Sequence, residues 1–204
     1  MMSFKLKSEV IKAGIWYTLG NILIKGISFV TLPIFTRILS PSDFGIYNTY
    51  IAYEAIISII ISLGVYASIN NAKIDFKDDF NKFVASVCNL FTMFFVLVWI
   101  VTNIIYPILP NVSKEFDISI VNVLMLHSFG SAIINYISLK YVIEMKYRLN
   151  MIIAVILTLC NVLVSLFLCL GLYNSQRYLG RILGSAAGVI IIGIIFYVIL
   201  QING

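Results

Sequence analysis

The stretch FVASVCNLFTMFFVLVWIVTNIIY, residues 83 to 106, decides what kind of molecule this is. It lies in an interval, from Lys82 to Lys114, that holds no charged side chain. A helix crosses roughly 30 Å of hydrocarbon with about 20 apolar residues at about 1.5 Å each, so this stretch is long enough to span a bilayer. Pro107 and Pro110 end it, because proline lacks the N–H and its ring clashes with the preceding turn. Working outward from charge to charge, five more stretches qualify. They run from Lys12 to Arg37 (broken by Lys25), Asp43 to Lys73 (broken by Glu54), Asp117 to Lys140 (holding His127), Arg148 to Arg177, and Arg181 almost to the carboxyl end. The pattern predicts an all-α integral membrane protein, a bundle of six transmembrane helices near residues 13–37, 45–69, 83–106, 118–139, 150–172 and 181–201, forming one lobe over 1–204.

The whole chain agrees with its most apolar part. Of 204 residues 61% are hydrophobic and 11% charged, and the mean hydropathy is +1.01. A soluble domain carries about 25% charged residues, so a soluble enzyme, a disordered tail and a disulfide scaffold are excluded. Cys88, Cys160 and Cys169 fall in apolar runs, where cysteine acts as a small hydrophobe, and no disulfide, metal site or cofactor is implied. The net charge of +5 sits in short clusters between apolar runs rather than in a basic stripe, which points to membrane orientation and away from nucleic acid.

The amino-terminal MMSFKLKSEVIK has the basic start of a signal peptide, but the apolar run behind it is too long and shows no small-residue cleavage pattern, so it is expected to stay attached as the first span. Nine basic residues fall on one side of the predicted spans: Lys5, Lys7, Lys12, Lys73, Lys77, Lys82, Lys140, Lys146 and Arg148. Four fall on the other, Arg37, Lys114, Arg177 and Arg181, and Lys25 lies within a span. The positive-inside rule makes the nine cytoplasmic and puts both termini in the cytoplasm. Asn111, Val112 and Ser113 form a glycosylation sequon on the outer side, a pattern short enough to recur by chance.

Ionisable groups at bilayer depth cost at least a few kcal/mol, which makes each a functional candidate. Lys25 lies about 18 Å of helix from Arg37, Glu54 about 16 Å from Asp43 and His127 about 15 Å from Asp117, so all three sit near the midplane. Lys25 and Glu54 either neutralise each other across the first hairpin or line a cavity. Helical spacing favours the cavity. Thr18, Asn21, Lys25 and Ser28 share one face of the first span; Glu54, Ser58 and Ser62 share a face of the second; His127, Ser131, Asn135 and Ser138 of the fourth; and Thr158, Asn161 and Ser165 of the fifth. The competing reading treats these residues as interhelical glue worth only about 0.6 kcal/mol per hydrogen bond. In the sixth span Gly180, Gly184 and Gly188 recur every fourth residue, a face for close helix packing. Pro33 is expected to kink the first span.

Residues 26 to 47, GISFVTLPIFTRILSPSDFGIY, carry a recognisable pattern: Pro33, Thr36, Arg37, Leu39 and Ser40, then Asp43, Phe44, Gly45, Ile46 and Tyr47. This resembles the first hairpin of the polysaccharide repeat-unit flippases, the O-antigen and capsule exporters within the multidrug/oligosaccharidyl-lipid/polysaccharide exporter superfamily. GRILGSAAG, from Gly180, is a second and weaker match, and the six-span layout is similar to one lobe of that family's two-lobe fold. Family members have twelve or more helices, so the resemblance implies the amino-terminal lobe of an exporter in a truncated or partial chain, with the second lobe missing.

What the resemblance implies is a non-enzymatic transporter in the bacterial inner membrane that flips undecaprenyl-pyrophosphate-linked oligosaccharide outward for surface polysaccharide. Lys25 would attract the pyrophosphate, Asn21, Ser28 and Asn135 would hydrogen-bond along the pathway, and Glu54 and His127 would respond to a coupling proton or sodium ion. Expected partners are the lipid-linked oligosaccharide, membrane lipid, and a glycan polymerase, a second lobe or a second copy. The alternatives are one lobe of a cation-coupled drug exporter, and a non-transporting remnant or scaffold of a glycan-assembly complex.

Overall fold

The computed structural model describes residues 2–65, 68–76, 79–108 and 116–203; Lys77, Pro110, the sequon Asn111, Val112 and Ser113, and Lys114 lie outside them. Every regular element among the described residues is helical. Helix α1 spans Met2–Ile38, α2 Pro41–Ile61, α3 Ser68–Asp75, α4 Phe80–Ile105, α5 Ile118–Ile143, α6 Tyr147–Phe167 and α7 Arg177–Asn203. Six of these are long and apolar enough to cross a membrane, over Ile11–Ile38, Pro41–Ile61, Phe80–Ile108, Ile118–Ile143, Tyr147–Leu172 and Arg177–Ile202. The protein is therefore a multi-pass membrane protein. The second span ends at Ile61 rather than near residue 69, because Leu63 (φ 52°) and Gly64 (φ 64°) take left-handed conformations that a right-handed helix cannot continue through.

Local chemistry explains the remaining ends. Ser40 caps α2 reciprocally: its Oγ accepts the Asp43 N–H at 3.1 Å, and Asp43 Oδ2 accepts the Ser40 N–H at 3.2 Å. Pro41 follows as the first helical residue, where its missing N–H costs nothing. Helix α5 closes with a Schellman pattern, Lys146 N–H to Tyr141 O at 2.8 Å and Met145 N–H to Val142 O at 3.1 Å. Met145 takes the left-handed position (φ 57°) that glycine usually fills. Helix α6 runs into a π-helical turn, Leu168–Leu172, before the loop to α7. Helix α1 stays helical through Pro33, whose carbonyl accepts the Thr36 hydroxyl at 3.0 Å.

Two compact units make up the chain, one from Met1–Ile46 with Ser138–Ser185, the other from Tyr47–Ile137 with Ala186–Gly204. In the first, α1 packs along α6, and Phe35, Leu39 and Cys169 form a buried cluster with Ile38, Phe44 and Leu166 around it. Gly180 and Gly184 of α7 meet the backbone of Cys169 and Ser165, so α7 crosses the α6 segment at a separation that leaves no room for a Cβ. In the second unit, α4 buries Phe80, Val84, Cys88, Phe91 and Phe95 on one face, while Leu90, Met93, Leu97, Ile100 and Ile104 are exposed on the other. Phe95 stacks on Phe129 at 4.4 Å, and Phe91 meets Tyr136 edge-on at 5.2 Å. Gly193 of α7 lies directly against Gly130 of α5.

Candidate functional site

In the second unit, α2 and α5 supply two of the three predicted midplane groups, Glu54 and His127, with polar partners around them. Tyr50 and Glu54 are one turn apart on α2. The Tyr50 hydroxyl lies 3.1 Å from His127 Nδ1, and the two rings stack at 5.8 Å between centroids. Both side chains are buried. Ser128, the next residue of α5, donates to the Glu54 carbonyl at 3.4 Å, and Ser131 hydrogen-bonds the Glu54 carboxylate. Among the described residues no donor reaches the buried Glu54 Oε1. Buried oxygens without partners are costly, so this one carries an unmet hydrogen-bonding demand. Of the predicted face on α5, His127 and Ser131 join this group and Asn135 is exposed. Tyr50 escapes a sequence reading because an aromatic in an apolar run reads as packing; its spacing of four from Glu54 is the only signal.

In the first unit, Asn21, Lys25 and Ser28 are exposed on α1. The hydroxyls of Thr18 and Ser28 are already used, donating to the carbonyls of Gly14 and Ile24 at 2.9 and 3.0 Å. Lys25 and the Asn21 amide are thus the donors this face offers. Ser58 and Thr158 likewise bond to carbonyls of their own helices, and Ser62, just past α2, donates back to the Ile59 carbonyl. Ser138 donates to Asn150 Oδ1 at 2.7 Å, and Asn150 Nδ2 donates to the Tyr17 hydroxyl at 3.3 Å, tying α5, α6 and α1 together. A periodic polar face in this protein is therefore partly self-satisfied and partly structural.

The corner motif of residues 33–47 is structural in part. Asp43 is the capping partner of Ser40, Gly45 has open space around it, and Pro33 and Arg37 are exposed. Tyr47 is half-buried in the second unit. Two arginines from the far end of the sequence complete this corner. Arg177 Nη1 donates to the Ile38 carbonyl at 2.7 Å, closing the C-terminal end of α1, where a cation is favoured. Arg181 donates to Asn161 Oδ1 at 2.7 Å and Ser165 Oγ at 2.8 Å, and its guanidinium lies 3.9 Å over the Phe35 ring. In the sequence both serve as span boundaries and topology charges, with Arg181 also inside the weaker family match, and neither stands out as a packing residue. Arg181, expected at the start of the sixth span, sits one turn inside α7 instead.

A family model described as polysaccharide biosynthesis protein matches residues 10–204. No curated protein and no solved structure matches the chain.

Proposed function

The chain belongs to the polysaccharide biosynthesis protein family, and from that premise we propose that it serves as a flippase lobe in the bacterial inner membrane, moving undecaprenyl-pyrophosphate-linked oligosaccharide to the outer leaflet for O-antigen or capsule assembly. No covalent chemistry is involved. The observation that carries the reading is the Glu54 carboxylate, held by Ser131 at mid-span with one buried oxygen left without a donor. That oxygen is the seat of a coupling proton or sodium ion, with the Tyr50–His127 pair beside it on the same two helices. Lys25, exposed on α1, supplies the cation for the pyrophosphate, assisted by the Asn21 amide. Ser28 is a weaker candidate than its spacing suggests, since its proton is committed to Ile24. Lipid-linked oligosaccharide and membrane lipid are the partners on this reading, and a glycan polymerase, a second lobe or a second copy would act with it. A cation-coupled drug exporter would use the same Glu54, and the cargo separates the two.

Export of surface polysaccharide by a strain deleted for the gene and complemented with variants tests the proposal. Lys25→Gln is expected to abolish export while Lys25→Arg keeps part of it, because arginine retains the charge but not the shape. Glu54→Gln is expected to stop export at unchanged membrane level. Full export by the Lys25→Gln, Glu54→Gln double variant would overturn both roles.

A further inference from the structure

Helices α1 and α6 run parallel in the first unit, because contacts climb both sequences together. Arg148 lies over the Trp16 ring at 5.6 Å, Asn150 meets Tyr17, and Met151 meets Gly20. Alongside this seam is a groove of about 300 Å³, lined by Trp16, Leu19 and Leu23 of α1 and by Ile152, Val155 and Ile156 of α6. Apart from the indole N–H of Trp16, every lining side chain is apolar. Gly20 lets Met151 pack directly on α1 beside the groove, since a Cβ there would collide with the Met151 sulfur.

The two ends of the groove differ. At one end stands Arg148, the second residue of α6, exposed and stacked on Trp16; among the described residues no carboxylate lies within ion-pairing distance of it. Exposed Lys12 precedes Trp16 by one turn. Tryptophan and arginine at the end of a spanning helix mark the headgroup level, and the planar guanidinium matches a phosphate with two parallel hydrogen bonds. At the other end the groove stops near Leu23 and Ile156, about 10 Å deeper by helical rise from Trp16. One leaflet is about 15 Å of hydrocarbon. The groove is therefore as deep as most of one leaflet, too short to seat a partner's spanning helix and far shorter than a long isoprenoid chain.

We propose that this groove holds one acyl chain of an anionic phospholipid, with Arg148 binding its phosphate against Trp16. The site is independent of the transport reading. It makes a leaflet lipid part of the α1–α6 seam, with the headgroup on the Arg148 side.

The test is native mass spectrometry of the purified full chain in detergent micelles, titrated with dioleoyl phosphatidylglycerol or dioleoyl phosphatidylethanolamine. Wild-type protein is expected to retain one phosphatidylglycerol in preference to phosphatidylethanolamine by about fivefold, the factor for one basic residue near an anionic lipid. Arg148→Gln should erase that preference, and Arg148→Lys should keep part of it. Val155→Phe, which fills the groove, should weaken retention of both lipids. Circular dichroism and resistance to SDS, measured in every variant, separate loss of the site from loss of the fold. Equal lipid preference in wild type and Arg148→Gln, unchanged retention by folded Val155→Phe, stronger binding of undecaprenyl phosphate than of phosphatidylglycerol, or a dimer that Val155→Phe dissolves would each overturn the assignment.

Discussion

Replacing Gly184 with alanine puts the α6–α7 crossing under a defined strain. The added Cβ would sit 2.5 Å from the Ser165 nitrogen, whereas ordinary contact begins at 3.4 Å, so the helices must separate by about 1 Å. A gap of that size forfeits about a quarter to a half of the dispersion energy of the atoms along the seam, and overpacking of this kind costs about 1–3 kcal/mol. The Arg181 hydrogen bonds to Asn161 and Ser165 cross the same seam and would lengthen, removing up to about 1 kcal/mol at about 0.6 each. Alanine returns up to about 1 kcal/mol of helix propensity. The net expectation is a loss of about 1–3 kcal/mol. Gly14→Ala is the matched control, since nothing lies within 4 Å of its added Cβ and only the propensity gain remains. Titration of the purified protein in mixed micelles with SDS, followed by circular dichroism, reads both. The reasoning fails if Gly184→Ala unfolds at the wild-type SDS fraction. It fails differently if Gly14→Ala loses as much, because the effect would then belong to glycine flexibility rather than to contact.

Other expectations concern ends and orientation. Asp43→Ala removes the partner of the Ser40 cap and should cost about 1 kcal/mol in the same titration; an unchanged midpoint with abolished export would transfer Asp43 from the fold to the transport path. Met145→Gly relieves a left-handed methionine and should stabilise by about 1 kcal/mol; a loss would mean that the Met145 side chain packs productively. Single cysteines at Ser42 and Asn174, in a background without native cysteines, should react with an impermeant thiol reagent from outside the cell while one at Asp79 should not. The reverse labelling would invert the topology.

The spans were legible because lipid forbids unsatisfied backbone, leaving hydropathy and charge punctuation to carry the signal. What sequence could not resolve was the turn after Ile61, where Leu63 and Gly64 break the helix inside an unbroken apolar run. Periodicity identified the faces but not their occupants. It cannot distinguish a hydroxyl that donates to its own helix, as in Thr18, from one that holds a distant arginine, as in Ser165. Glu54 and His127 stood out as ionisable groups at depth, whereas Tyr50 did not, because burial of an aromatic is unremarkable until its hydroxyl has a partner. Arg177 and Arg181 were hidden by the opposite assumption, that charges near a span boundary face water.

The first unit joins Met1–Ile46 to Ser138–Ser185, so its two halves are separated in synthesis by the whole stretch between. At about 5–20 residues per second, α1 enters the bilayer roughly 5–20 s before α6 exists to receive it. A lone helix in lipid must meet its own polar demands during that interval. Thr18, Ser28, Thr31 and Thr36 do so by donating to carbonyls on their own helix, so none of their hydroxyls waits for a partner. The ties that need α6 or α7, such as Tyr17 to Asn150 and the Ile38 carbonyl to Arg177, lie nearer the two ends of the α1 span than its middle, where water and headgroups can stand in until the later helices arrive.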